Sequence, residues 1–319
     1  MIDPVRRISL DDIEQARGRI ASTVLRTPLV RLDLGKDGPD IRLKLENLQP
    51  TNAYKIRGAT NAVANLSDEQ RARGVWTISA GNAGQGVAYA ARKFGIAATV
   101  VAIETAPQTK LDRMRALGAA IVPVSYDDAW KAAESHTFPG LEGTFIHPFD
   151  NHDFIAGHAT MGLEILEDAP DVHTVITAIG GGGLITGVGS AIKAKRPDVP
   201  VLGAEPETAA PYALSLRDGG PRKFAEWQAS FVDGAGGKSV TERMWQRMRP
   251  VTNGSITVTL DQTREAMWLI AEKTRTIAEG AGALALAAAL TGEAGEGPIV
   301  CVVSGGNIDL GKFAELVVT

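Results

Sequence analysis

Thr174-Val-Ile-Thr-Ala-Ile-Gly-Gly-Gly-Gly-Leu184 decides the fold. Its first six residues are apolar or β-branched, the composition of a strand covered on both faces. Four glycines follow, and a helical pattern from Leu184 to Lys195 begins directly behind them. Strand, glycine turn and helix are the parts of a parallel α/β unit. Without Cβ atoms the turn can wrap closely round an oxyanion, and the positive end of the next helix adds attraction. A tight strand-to-helix turn and a phosphate cradle both fit these residues, but four glycines exceed what a turn needs. No Gly-Lys-Ser/Thr follows and no frame gives Gly-x-Gly-x-x-Gly, so this is neither a P-loop nor a dinucleotide fingerprint.

The alternation continues outward in both directions. Toward the C-terminus come a strand at Val199 to Glu205, an irregular stretch from Pro206 to Ser255, and helices at Thr263 to Thr276 and Ala281 to Leu290. The last strand, Ile299 to Val303, runs into Ser304-Gly-Gly-Asn307. Toward the N-terminus, strands are expected at Val75 to Ile78, Ala97 to Ile103, Ala120 to Val124 and Thr144 to Ile146. Helices at Gln85 to Phe94, Pro107 to Leu117, Tyr126 to Ser135 and Ile155 to Glu167 separate or follow them, with Pro107 in the first helical position. Ile41 to Glu46 alternates as a half-buried strand, and Ser9-Leu-Asp-Asp12 has the character of a capping box. The block after Gly74 reads as a small, parallel, doubly wound sheet.

Composition narrows the function classes. Apolar residues make up 44 % and charged residues 22 % of 319, ordinary for a soluble globular chain. A net charge of −4 gives no basic surface for nucleic acid. The most apolar helix candidate, Gly282 to Leu290, is too short to span a bilayer, so no membrane partner is expected. Cys301 is the only cysteine and sits in an apolar strand, which points to a reducing, cytoplasmic compartment. The N-terminal residues lack the apolar segment of a signal peptide.

Three further motifs carry chemistry. In Asn52-Ala-Tyr-Lys-Ile-Arg-Gly-Ala59, Lys55 lies between an aromatic and an isoleucine at a helix start. Burial there disfavours the charged form, and a neutral ε-amine is a nucleophile suited to a Schiff base. On spacing alone a solvated surface lysine is by far the commoner reading. Ser79-Ala-Gly-Asn-Ala-Gly-Gln-Gly86 is a second strand–loop–helix junction, readable as a capped turn or as an anion site. Ser304 ends the last strand, where ligands dock in open α/β sheets, although a capping serine is the simpler reading.

In this order and spacing the four motifs resemble the pyridoxal-phosphate enzymes of the tryptophan-synthase-β fold type, specifically the threonine/serine dehydratase and serine racemase branch. His147-Pro-Phe-Asp150, Ile155-Ala-Gly157 and Ala204-Glu-Pro206 extend the likeness. The resemblance implies an α/β fold of two doubly wound sheet domains. Residues 1–73 plus 148–319 would form the large cofactor domain and residues 74–147 a small mobile one. It implies pyridoxal 5′-phosphate on Lys55, with Tyr54 (where phenylalanine is usual) packed against it. Asn82 would meet the 3′-oxygen, Gly180, Gly181, Gly182 and Gly183 the phosphate, and Ser304 the pyridine nitrogen. Ser79, Ala80, Gly81, Ala83 and Gln85 would clamp the substrate carboxylate. A homodimer acting on a small amino acid is the family expectation. A hydroxyl facing the ring nitrogen weakens the ring as an electron sink, which favours β-elimination to a 2-oxo acid and ammonia.

Departures refine this expectation. Ala80 stands where serine racemases carry the serine that serves the second face of Cα, which argues against racemisation as the main activity. Ala83 replaces a usual histidine, Asn52-Ala53 a usual Gly-Ser, and His158 a usual glutamine. Fewer polar groups near the substrate loop favour a β-substituent bulkier than that of threonine, such as the phenyl of phenylserine. Glu205 matches one ligand of the family's cation site, but Pro211 stands where its acidic partner belongs, so no metal is expected. His136, His152 and His173 lack metal spacing. The rival readings are β-replacement, as in cysteine-synthase relatives, amino acid racemisation, and a non-catalytic phosphate-ligand sensor.

Overall fold

The computed structural model describes residues 4–318. In chain order the elements are α1 (Leu10–Ile20), β1 (Leu29–Arg31), β2 (Ile41–Leu45), α2 (Lys55–Ala64), α3 (Asp68–Arg73), β3 (Val75–Ile78), α4 (Asn82–Lys93), β4 (Ala98–Ile103), α5 (Gln108–Ala116), β5 (Ala120–Val124), α6 (Tyr126–Ser135) and β6 (Thr144–Phe145). Then come α7 (His152–Asp168), β7 (Thr174–Ala178), α8 (Gly183–Lys195), β8 (Val201–Pro206), α9 (Pro211–Asp218), α10 (Glu242–Met248), β9 (Gly254–Val258), α11 (Leu260–Thr274), α12 (Gly280–Leu290), β10 (Ile299–Val303) and α13 (Leu310–Val317).

The strands form two sheets, a six-stranded one ordered β1-β2-β10-β7-β8-β9 and a four-stranded one ordered β5-β4-β3-β6. Every pairing is parallel except β1 on β2. Both faces of each sheet are covered, which is why its central strands are apolar throughout. In β10, Ile299, Cys301 and Val303 face the core under α11 and α12, while Val300 and Val302 face the core under α7 and α8. In the smaller sheet Val75, Val100 and Ala102 pack toward α2 and α4, and Trp76 and Val101 toward α6. The α/β class and the doubly wound sheets match the sequence reading.

Local chemistry sets the element ends. The Ser9 hydroxyl accepts the Asp12 N–H at 3.1 Å, and the Asp12 carboxylate accepts the Ser9 N–H at 2.9 Å, so the expected capping box closes. Pro107 is the N-cap of α5 and not its first helical residue; its ψ of 131° is extended and the helix opens at Gln108. The stretch 206–255, expected to be irregular, holds α9, α10 and the start of edge strand β9. Glycine lets α2 and α7 cross closely: a methyl on Gly58 would strike the Phe154 carbonyl, and one on Gly157 the Arg57 carbonyl. That crossing accounts for two of the glycines in the family-like motifs.

Candidate active site

The strand ends and helix starts of both sheets face one cleft of about 430 Å³. Tyr54, Lys55, Ser79, Ala80, Gly81, Asn82, Ala83, Gly181 and Ser304 line it. Backbone pairing holds two of its distant motifs together. Tyr54 N–H donates to the Ser304 carbonyl at 3.0 Å, Gly306 N–H to the Asn52 carbonyl at 2.9 Å, and Ala53 and Gly305 form a β-bridge. Asn52 adopts φ 54°, a left-handed conformation that asparagine tolerates better than other side chains do, which explains how it replaces a usual glycine. Ala53 is fully buried at that bridge and does not reach the cleft lining, so of the two alanine departures only Ala83 bears on the substrate space.

Lys55 opens α2, and its Nζ donates to the Pro148 carbonyl at 2.8 Å. The residue borders the cleft while its amine is enclosed, 5.1 Å from the Tyr54 ring centroid and 5.4 Å from that of Phe154. Burial in this setting pushes the ammonium down to about 7. A neutral amine, nucleophile and base, is therefore populated near neutral pH.

An ionic network anchors α2 two residues further on. Arg57, fully buried, donates to Glu46 through Nε and Nη2, each at 2.8 Å, and to Glu164 at 2.7 and 2.8 Å. Lys44 reaches the same Glu164 at 2.7 Å, and the Thr27 hydroxyl reaches Glu46 at 2.6 Å. The two-sided fork satisfies the carboxylates, which is what makes buried charge tolerable.

The tetraglycine joins β7 to α8, with Gly182 as N-cap at φ 87°. The Phe149 ring occupies the place a methyl on Gly181 would take, and Met248 Sδ the place beside Gly182. The first-turn N–H groups of α8 have no acceptor inside the helix, the arrangement that holds a phosphate dianion. Ser304 is buried beyond β10, and its hydroxyl donates a long bond to the Ala281 carbonyl at 3.3 Å. The Ser79 hydroxyl accepts the Gly81 N–H at 3.1 Å and shapes the loop before α4. Gln85 departs from the expectation. It lies a turn inside α4, buried, with Nε2 unpartnered among the described residues, and is outside the cleft lining.

Sequence reasoning missed three cleft residues. Glu279 caps α12, and its carboxylate accepts the Asn82 amide N–H at 2.6 Å; burial pushes it up to about 7. Asn82 Oδ1 in turn accepts from Asn307 Nδ2 at 2.9 Å. One amide N–H of Asn82 remains for a ligand. Lys110 and Asp233 pair at 2.5 Å, and both line the cleft. Local sequence offered only a faint signal for Glu279, its place before Gly280-Ala-Gly, and none for the other two. Glu205 serves the fold. Its carboxylate accepts N–H bonds from Tyr212 at 2.7 Å and Ala213 at 2.8 Å, at the start of α9, and the Ser255 hydroxyl at 2.6 Å. Among the described residues no group of three metal-ligating side chains forms.

An amine that deprotonates near pH 7, a glycine turn at a helix start and a buried hydroxyl are the groups a phosphorylated pyridine aldehyde needs. A family model described as pyridoxal-phosphate dependent enzyme matches residues 20–305. The chain belongs to that family. Within these pyridoxal-phosphate enzymes it falls in the threonine/serine dehydratase and serine racemase group. It is 38 % identical over 315 residues to an L-threonine ammonia-lyase of Thermotoga maritima, covering 97 % of this chain and 78 % of that protein. It is 36 % identical over 319 residues to a catabolic L-threonine dehydratase of Staphylococcus aureus, covering 97 % and 92 %. Among solved structures it resembles maize serine racemase, with TM-score 0.90, 32 % identity and 97 % of each chain covered. It also resembles a T.th. threonine deaminase, with TM-score 0.88, 36 % identity, and 95 % and 99 % covered. The protein is thus a pyridoxal-phosphate enzyme of the ammonia-lyase kind. Among the described residues no helix is long and apolar enough to cross a membrane.

Proposed function

We propose that this enzyme removes water from a β-hydroxy amino acid and releases a 2-oxo acid and ammonia. The observation that carries the reading is the enclosed amine of Lys55, deprotonated near neutral pH at the edge of the cleft. The cofactor, when bound, supplies an electron sink adjoining the substrate Cα. Lys55 would hold its aldehyde, and its amine would serve as the base that moves the Cα proton. The Gly180 to Gly183 turn would hold its phosphate, Ser304 its ring nitrogen, and the remaining Asn82 amide N–H its 3′-oxygen. The loop from Ser79 to Ala83 binds the substrate carboxylate. Loss of the β-hydroxyl as water leaves an enamine, which tautomerises and hydrolyses.

Apolar cleft walls support a β-substituent larger and less polar than that of threonine. Ile78, Ala80, Ala83, Ile103, Ala106 and Pro107 supply apolar surface there. An aryl or branched substituent gains by covering it. Residues 74–147 act as the small domain that closes on the large one, formed by residues 1–73 and 148–319, and excludes water. Racemisation is the second reading, favoured by the likeness to maize serine racemase. Ala80, which has no proton to give, speaks against it.

Two measurements test the proposal. Borohydride reduction of the cofactor-loaded protein followed by peptide mapping should mark Lys55; a mark on any other lysine removes the assignment. Oxo-acid release should then be compared for serine, threonine, 3-hydroxyaspartate and phenylserine. Phenylserine is expected to exceed both threonine and serine, and a clear preference for either of those discards the apolar-substituent reading. Inverted amino acid with no oxo acid would make the enzyme a racemase.

A further inference from the structure

His158 is fully buried on α7, and neither of its ring nitrogens has a hydrogen-bond partner among the described residues. An unpaired buried imidazole is unfavourable, so its place calls for an explanation. The ring sits edge-on to two others, 4.6 Å from the Tyr54 centroid at 61° and 4.8 Å from the Phe154 centroid at 78°. Both of those rings border the Lys55 amine, at 5.1 and 5.4 Å. The slot is narrow. A methyl on Gly58 would lie 2.5 Å from His158 Cε1, and one on Gly187 2.9 Å from its Cβ. A five-membered ring fits between the two glycine backbones.

We infer that His158 is a positioning residue for Lys55: an uncharged ring wedged between Tyr54 and Phe154 that keeps both rings against the amine and keeps water away from it. The inference rests on the proposed role of Lys55. The ionisable groups facing the cluster are Lys55, Arg57 and Tyr54 from the α2 segment, His147 from the loop before α7 and Glu279 at the start of α12, which acts on Tyr54, while α8 presents the backbone of Gly187. Burial first, then the Arg57 guanidinium and, while it is protonated, the Lys55 ammonium, hold the His158 imidazole neutral, and burial holds His147 neutral with its Nδ1 accepting the Asp150 N–H at 2.9 Å. Neither histidine therefore adds a positive charge at neutral pH, and the state of the Lys55 amine is set by desolvation.

The test uses the full chain freed of cofactor. Acetylation of Lys55 by brief exposure to acetic anhydride is followed across pH by mass spectrometry, in wild type, His158→Gln and His158→Ala. Wild type should titrate near pH 7. Both variants should titrate higher by on the order of one pH unit, because either change frees the rings and admits water. The pH dependence of the visible absorbance of the cofactor-loaded variants should move in the same direction. If folded His158→Gln titrates with wild type, the inference is overturned; should His158→Ala fail to fold, the glutamine variant decides alone. A wild-type amine titrating near an ordinary lysine value would also overturn it. Borohydride mapping tests the role of Lys55 independently, so the two failures are distinguishable.

Discussion

Lys110 on α5 and Asp233, in the segment between α9 and α10, form an ion pair of 2.5 Å across the mouth of the cleft. One partner belongs to the segment 74–147 and the other lies outside it. The Asp233 side chain is 59 % exposed, so the pair adds little to global stability, below about 1 kcal/mol. On the proposed closure of residues 74–147, its weight falls on the balance between open and closed forms. Lys110→Ala should leave the thermal midpoint almost unchanged and raise KM several-fold, because binding then has to supply the closure as well. Steady-state kinetics beside a melting curve checks this; an unchanged KM would show that the pair does not govern closure.

Gly181 has no room for a side chain, because the Phe149 ring fills the place of a methyl. Gly181→Ala should push the ring or the turn aside and weaken cofactor binding at least tenfold, about 1.4 kcal/mol. Titration of the cofactor-free protein, followed by fluorescence, measures the change.

Arg57 holds two buried carboxylates, Glu46 and Glu164. Arg57→Met leaves both without their main counter-charge, a loss of about 3–5 kcal/mol for a broken buried pair. Arg57→Lys should recover only part, since an ammonium cannot form the two-sided fork. Urea denaturation of the three proteins gives the order.

Glu279 provides a pH signature. Burial raises its carboxyl from the ordinary 4.5 to about 7 in the native protein. Between those values the folded chain holds a proton that the unfolded chain has released. The stabilisation associated with that proton is present in full below the ordinary value and is lost as pH rises through about 7. Glu279→Gln cannot titrate. In the cofactor-free protein its stability relative to wild type should therefore climb as pH rises from about 4.5 to about 7. Urea midpoints across that range check the sign, and a difference independent of pH would refute it.

Legibility in the sequence followed the range of the interactions. The strand β10 and its exit into Ser304 were plain, because five apolar residues in a row run straight into Ser-Gly-Gly-Asn. The tetraglycine was equally plain, since the turn it makes is local. Strand β1, three residues long and antiparallel at the edge, had too few residues for any period to emerge. β9 was hidden because Gly254 and Ser255 begin it and only its pairing with β8 makes it a strand. In the cleft, Lys55 was legible by its motif, whereas Glu279 and the Lys110–Asp233 pair arise where distant segments converge. The contact of His158 with Tyr54 is of the same kind. Each replaces a residue more usual in the family, and nothing in the sequence says that the two replacements touch.

The buried Arg57 fork gives Lys55 a fixed base, because charge clamps the helix start two residues from the lysine. Ile103, at the end of β4, and Thr105, Ala106 and Pro107, in the β4–α5 connection, line the same cleft and share none of that clamp. Reagent and wall are therefore built as separable parts. An engineer could recut the wall residue by residue and leave the chemistry beside it in register.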